Sequence, residues 1–77
     1  MKELIETIVK ALVDKPDEVT VSEIAGHRTI LYELKVAKED IGRVLGRKGK
    51  NINAIRALLS DLAEKQRKRV TLNLIEL

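Results

Sequence analysis

The 77-residue sequence has no cysteine, no phenylalanine and no tryptophan, and it has only one tyrosine, one histidine and one proline. Without cysteine, disulfide bonds and thiolate metal sites are excluded. The single histidine, His27, has no second histidine or cysteine with which to share a metal, and the carboxylates are scattered, so no nucleophile–base or acid–base pair can be proposed. We therefore expect no metal, no other cofactor and no catalytic activity.

Long hydrophobic runs are also missing. No run approaches the roughly 20 apolar residues that a membrane helix needs, and the amino-terminal stretch MKELIETIVKALV carries acids inside its apolar pattern, unlike a signal peptide. We expect a cytoplasmic protein with no membrane partner. The 44% of hydrophobic residues are mostly Leu, Ile, Val and Ala, which predicts an aliphatic core within a single domain, residues 1–77.

Positive charge is concentrated in one part of the chain, although the net charge is only +3. Residues 1–27 hold six acids and three lysines, whereas residues 41–60 hold five basic residues and no acid. This asymmetry favours a polyanionic partner such as nucleic acid. We interpret a second basic run as a solvated helix end in preference to an RNA contact, which stays open as the alternative; the run comprises Lys65, Arg67, Lys68 and Arg69.

The spacing of apolar residues predicts six elements. Recurrence at three and four residues from Leu4 to Leu12 predicts an amphipathic helix that ends near Pro16. Alternation predicts two strands, EVTVSEIA and RTILYELKV, joined at GH as a hairpin, with a bulge where the alternation breaks at Ile24. A short helix after AKED, a longer helix from about Lys50 and a last strand, RVTLNLIEL, complete the order α-β-β-α-α-β. We predict a two-layer α+β domain with three helices on one face of a three-stranded sheet.

Three of the four glycines lie in IGRVLGRKGKNI, residues 41–52. The stretch is not a P-loop, because Asn51 stands where that motif needs Ser or Thr and a helix precedes the loop. Nor does its glycine spacing supply the G-x-G-x-x-G of dinucleotide-binding proteins. What remains is G-x-x-G, GRKG at 46–49, as the turn between two helices.

The full pattern I-G-x-V-x-G-x-x-G-x-x-I, between a strand and a long helix, resembles the KH domain, a module that binds RNA and single-stranded DNA. The residues that match are Ile41, Gly42, Val44, Gly46, Arg47, Lys48, Gly49 and Ile52. The hairpin before the helix pair is similar to the type II, bacterial variant. Over essentially the whole chain, the length and GRVLGRKGKNINAIRALL resemble the small bacterial KhpA family.

This resemblance implies a cytoplasmic RNA-binding protein. It further implies pairing with a second copy or with a larger KH-containing protein, KhpB, and a link to cell division and cell-wall elongation. The expected role is that of a post-transcriptional regulator or RNA chaperone.

In the KH arrangement the G-x-x-G loop clamps the backbone of about four nucleotides. We expect Gly46 and Gly49 to let a phosphate approach the main chain, and the amino end of the following helix to favour an anion. Four basic residues are expected to attract phosphate without reading sequence: Arg43, Arg47, Lys48 and Lys50. Gly42 is expected to let the short helix pack closely against its neighbour.

Base recognition is assigned to a groove beside this loop. Candidates for its aliphatic floor are Ile41, Val44, Leu45 and Ile52, of which Val44 is preferred, and the edge of a neighbouring strand offers hydrogen bonds to base edges. Tyr32 alternates with core residues, so it is expected in the core instead of under a base. Without aromatic platforms the affinity of one copy for single-stranded RNA should be modest.

Two other functions stay open at this stage. Two helices around a glycine turn are also typical of a helix-turn-helix DNA-binding protein, although the strong strands and the position of the charges in the turn oppose it. A KH-shaped protein-interaction module is the other alternative, but it has no need of the basic residues in GRKG. Helical projection places Leu58, beside Ala54, at the flank of the apolar stripe. There it is either an ordinary exposed leucine or the centre of a two-fold homodimer contact.

Overall fold

Three helices and three strands follow one another in the computed structural model, which describes residues 1–77. The elements are α1 (Lys2–Leu12), β1 (Thr20–Ala25), β2 (Thr29–Val36), α2 (Ile41–Leu45), α3 (Lys50–Glu64) and β3 (Arg69–Glu76). Short 3-10 turns occupy Pro16–Glu18, Lys38–Asp40 and Arg47–Gly49. This confirms the predicted order α-β-β-α-α-β. None of the helices combines the length and the apolar character that crossing a membrane demands.

The sheet has the order β1-β2-β3, so β3 is an edge strand. β1 and β2 pair antiparallel, and β2 and β3 pair parallel. The pairing of β1 with β2 is unbroken, with Ile24 opposite Leu31, so the predicted bulge at Ile24 is wrong. The alternation breaks there because Ile24 lies on the face opposite Val21, where 57% of it is exposed.

All three helices cover the same face of the sheet. Every second residue of β2 is buried there, and these side chains belong to one apolar cluster with residues from each helix: Ile5, Val9, Val44, Ile52, Ile55 and Leu59. On the other face, Leu31, Glu33 and Lys35 stay half-buried. The two-layer α+β prediction is therefore confirmed. Each fully buried aliphatic side chain of this kind contributes about 1.5–3 kcal/mol relative to an exposed one.

Tyr32 is the one aromatic residue of the core, and only 1% of it is exposed. Its hydroxyl donates a hydrogen bond of 2.5 Å to Glu23 Oε1. Burial, together with this hydrogen bond, raises the pKa of Tyr32 well above its ordinary value of 10.0. The phenol therefore stays neutral, and the prediction that Tyr32 is a core residue is confirmed.

The carboxyl end of α3 closes in a Schellman motif. The Arg67 N–H donates to the Glu64 carbonyl at 2.9 Å, and the Lys68 N–H donates to the Ala63 carbonyl at 3.0 Å. Arg67 has a left-handed backbone, with φ 56°, at the position where glycine is usual because it has no Cβ. The sequence does not predict this turn, because no glycine marks it.

Replacing Arg67 by glycine should therefore stabilise the fold. Relief of left-handed strain is worth about 1–2 kcal/mol, and the greater freedom of glycine in the unfolded chain offsets about 0.4–1 kcal/mol of it. We expect Arg67→Gly to raise the free energy of unfolding in urea by about 0.5–1 kcal/mol. The matched control is Lys65→Gly, which should lower it by about 1 kcal/mol because Lys65 has helical angles, φ −62°. Equal losses from the two substitutions would contradict the left-handed geometry of Arg67.

Candidate nucleic-acid interface

The connection between α2 and α3 is the GRKG loop, residues 46–49. Three of its four residues have positive φ: 72° at Gly46, 57° at Lys48 and 75° at Gly49. Two glycines thus stand where a side chain is strained, and Lys48 accepts the same conformation with a side chain. The turn is tight enough that α3 begins immediately after it, at Lys50.

Gly46 is required by the chain itself. A Cβ at this position would lie 2.6 Å from Asn51 Cγ and 2.9 Å from the Asn51 backbone nitrogen. The Asn51 side chain fills this space because its Nδ2 donates a hydrogen bond of 2.9 Å to the Arg43 carbonyl at the end of α2. The prediction explained Gly46 by the approach of a phosphate, but an intramolecular reason comes first. Asn51 was missed as a site residue.

Gly42 does not have its predicted role. A Cβ built on it would meet no atom within 4 Å, and the residue is exposed. The expectation that Gly42 allows close packing of α2 is therefore wrong. The structure places open space beside α2 at this point.

The basic residues around the loop fall into two groups. Arg47, Lys48 and Lys50 are exposed, and none of them belongs to the ion pairs of the structure. No side chain caps the amino end of α3, which they surround. The positive end of the helix dipole and three unpaired cations therefore meet at one place, which suits an anion.

Arg43 belongs to a different environment. Its Nη2 lies 3.0 Å from Asp14 Oδ2, and its Nε lies 3.9 Å from Asp40 Oδ1. Asp40 precedes Arg43 by three residues in the sequence, whereas Asp14 is distant along the chain and is brought to Arg43 by folding. Part of its charge is therefore balanced within the protein, which separates Arg43 from the other three basic residues predicted to attract phosphate.

Asp40 anchors the start of α2 to the chain that follows α1. It is 1% exposed, and its carboxylate accepts the backbone N–H groups of Asp14 at 3.1 Å and Lys15 at 3.0 Å. Beside it, a hydrogen bond of 3.1 Å between Lys15 Nζ and Glu39 Oε2 raises the pKa of Lys15 and lowers the pKa of Glu39. From the sequence, AKED indicates only a helix start, and the long-range role of Asp40 was missed.

A groove of about 670 Å³ opens between the two helices of the loop and the edge strand β3. Ile41 and Leu45 line it from α2, and Leu74 and Ile75 line it from β3. Two other predicted floor residues, Val44 and Ile52, are instead core residues with exposed fractions of 0% and 3%. The preference for Val44 is therefore wrong, because its side chain offers no surface to a ligand. Ile41 packs against that core from the groove side.

Arg56 crosses the groove from α3 to β3 and was not singled out from the sequence. Its Nε and Nη2 donate hydrogen bonds of 3.3 Å and 3.1 Å to the Leu72 carbonyl. A guanidinium has five N–H donors, so most of them stay free beside the groove. A signal was available, because Arg56 follows Ile52 by four residues and precedes Leu59 by three. This spacing puts it next to the buried stripe of α3.

The two glycines of this region should respond oppositely to alanine. Gly46→Ala introduces both the contact with Asn51 and a strained positive φ, so we expect it to lower the free energy of unfolding by about 2–4 kcal/mol. Gly42→Ala should be neutral or stabilise by up to about 1 kcal/mol, because it adds a better helix former in open space. Urea denaturation of the two variants measures the difference. A Gly46→Ala variant as stable as Gly42→Ala would show that the turn is not built as described.

The chain is similar to known proteins over nearly its whole length. The family profile described as KhpA/KhpB, KH domain matches residues 2–74. RNA-binding protein KhpA of Clostridium acetobutylicum is 52% identical over 75 residues, which cover 97% of this chain and 100% of the relative.

Two further relatives carry the same name. RNA-binding protein KhpA of Caldanaerobacter subterraneus subsp. tengcongensis is 53% identical over 75 residues, with 97% and 100% of the two chains covered. RNA-binding protein KhpA of Chlamydia pneumoniae is 49% identical over 76 residues, with 99% and 97% covered. The mixed three-stranded sheet under three helices agrees with the type II KH fold. The chain therefore belongs to the KhpA/KhpB family of KH-domain proteins.

Proposed function

We propose that the protein binds single-stranded RNA, with the GRKG loop as a phosphate clamp and the groove beside β3 as the site for bases. One observation carries the proposal: three unpaired basic residues surround the uncapped amino end of α3, directly beside a groove with apolar walls. The name of the relatives, RNA-binding protein KhpA, supports RNA as the partner.

The clamp acts on the backbone of the RNA. Arg47 and Lys48 stand on the turn, where their ammonium and guanidinium groups attract phosphate and displace its counterions. The N–H groups at the start of α3 add hydrogen bonds to phosphate oxygens. None of these contacts depends on which base is attached, so they fix the position of the strand and supply most of the affinity.

The groove acts on the bases. Ile41 and Leu45 give an apolar wall on one side, and the outer edge of β3 offers backbone donors and acceptors on the other. The free N–H donors of Arg56 project between them and suit an acceptor on a base or a phosphate. A base enters such a groove only when it is unpaired, which favours single strands over duplexes.

The cellular part of the proposal follows from the family. We infer a binding protein and not an enzyme, acting in the cytoplasm as a post-transcriptional regulator or RNA chaperone linked to cell division and cell-wall elongation. A heteromer with a KhpB-type KH protein belongs to the same proposal. Crosslinking of the protein to RNA in cells, followed by sequencing of the bound RNA, would identify the targets.

Reversal of the two loop charges tests the clamp. Arg47→Asp/Lys48→Asp should weaken binding of single-stranded RNA at least tenfold, since acids there repel phosphate, while urea unfolding stays close to that of the parent because both side chains are exposed. Fluorescence anisotropy with a labelled RNA gives the affinity. The control is Lys2→Asp/Lys10→Asp on α1, which packs against β1 at the opposite edge of the sheet from β3. It changes the net charge by the same amount and should keep near-parental affinity.

The same titrations should be run on matched single-stranded and duplex RNA at several salt concentrations. We expect preference for the single strand and weaker binding as salt rises. Parental affinity in the loop double variant would refute the clamp. Equal affinity for duplex would favour the helix-turn-helix alternative, in which the groove has no role.

We further propose that the protein forms a homodimer through the exposed face of α3. Leu58 is 41% exposed there, next to the exposed Ala54, and a two-fold contact would bury both copies of this leucine. Two clamps in one particle would raise the affinity for RNA through avidity.

Leu58→Asp should convert a dimeric parent into a folded monomer, as measured by light scattering. The matched control is Ile24→Asp, because Ile24 is 57% exposed on the open face of the sheet and should leave the dimer intact. A parent that is monomeric at high concentration would contradict the homodimer. Dissociation by Ile24→Asp alone would place the contact on the sheet instead.

A further inference from the structure

Two non-glycine residues of the chain have a left-handed backbone, and both are basic. They are Lys48, with φ 57°, and Arg67, with φ 56°. Lys48 lies in the clamp just before α3, and Arg67 lies in the turn just after it. A left-handed residue with a Cβ costs about 1–2 kcal/mol, and such strain commonly marks a functional position. The clamp explains Lys48, whereas nothing in the clamp explains Arg67.

Folding brings Arg28 to three consecutive basic residues at the end of α3, and we call these four the far-end cluster: Arg28, Arg67, Lys68 and Arg69. The Arg69 N–H donates to the Arg28 carbonyl at 2.8 Å, so the hairpin turn lies against the start of β3. None of the four forms an ion pair, although Glu64 lines the same hollow as Lys68 and Arg69. Attraction to the carboxyl end of α3 accounts for Arg67 and Lys68, but Arg28 lies in the turn between β1 and β2, and Arg69 begins β3.

Three neighbouring hollows between α3 and β3, which we together call the α3–β3 cleft, lie in a row from the groove to this cluster, and the Arg56 side chain crosses the row. Beyond the groove lies a hollow of about 290 Å³, which shares Arg56 and Asn73 with it. A third hollow of about 310 Å³ shares Ser60 with the second and ends at Lys68 and Arg69. β3 forms one wall throughout, and its eight residues span about 23 Å at about 3.3 Å per residue.

We propose that the far-end cluster is a second phosphate-contact site, at which an RNA strand held by the GRKG clamp continues along the α3–β3 cleft. The protein then engages more than the about four nucleotides that a KH loop clamps. The far-end contacts add affinity without reading sequence, because they go to phosphates. This inference rests on the proposed function, since the clamp places one end of the strand.

The test compares a four-nucleotide RNA with a longer unstructured RNA of the same repeated sequence. Lys68→Gln/Arg69→Gln should bind the short RNA within about twofold of the parent. For the longer RNA, the slope of log K against log salt concentration should be smaller in magnitude by about 1.4 for this variant, since each lost phosphate contact removes about 0.7. Its affinity for that RNA at low salt should fall about fivefold to tenfold. The control Lys2→Gln/Lys10→Gln removes the same charge from α1 and should not change the affinity for either RNA.

A second variant separates binding from folding. Arg67→Gly should weaken binding of the longer RNA while it stabilises the fold, so the lost binding could not result from unfolding. If the Lys68→Gln/Arg69→Gln variant matches the control on the longer RNA, the second site is overturned and the clamp is not. If the parent binds neither RNA, the proposed function fails, and the second site fails with it.

Discussion

The candidate interface depends on one contact, the packing of the Asn51 side chain against Gly46. This contact is possible because glycine has no Cβ. The amide of Asn51 bonds to the last turn of α2 and lies where a side chain at position 46 would stand, so the angle between α2 and α3 is fixed at the turn. That angle determines the geometry of the loop and of the groove. It leaves the amino end of α3 uncapped and projects the loop cations around it. It also sets Ile41 and Leu45 of α2 beside the groove.

The second constraint is the position of β3 at the edge of the sheet. Because β3 pairs with β2 on one side only, its other side keeps backbone donors and acceptors free along the cleft. Arg56 satisfies one of them, the Leu72 carbonyl, and so closes α3 onto the strand without covering the whole edge. The acids lie elsewhere: Asp14 and Asp40 balance Arg43 on the side toward α1, which leaves the cations of the loop without partners.

Local pattern was enough to predict the elements, the aliphatic core and the glycine loop, because periodicity and turn chemistry act over a few residues. It failed where the deciding partner is distant in sequence. Asp40 bonds to backbone 25 and 26 residues away, and Arg56 reaches a carbonyl 16 residues away. Val44 was mistaken for groove because both a core and a groove need an aliphatic residue. Spacing alone does not say that α2 turns Val44 inward and Leu45 outward.

The strain at the two ends of α3 is large for a domain of this size. A 77-residue chain is stable by on the order of 4–12 kcal/mol, and two left-handed basic residues together cost about 2–4 kcal/mol. A charge that serves only solubility can lie at any exposed position, including a helical position without backbone strain. A glycine at 67 would close the same Schellman turn at lower cost. Helix-end attraction offsets part of this cost at Arg67, and the proposed polyanion lying along α3 would account for strained cations at both ends of the helix.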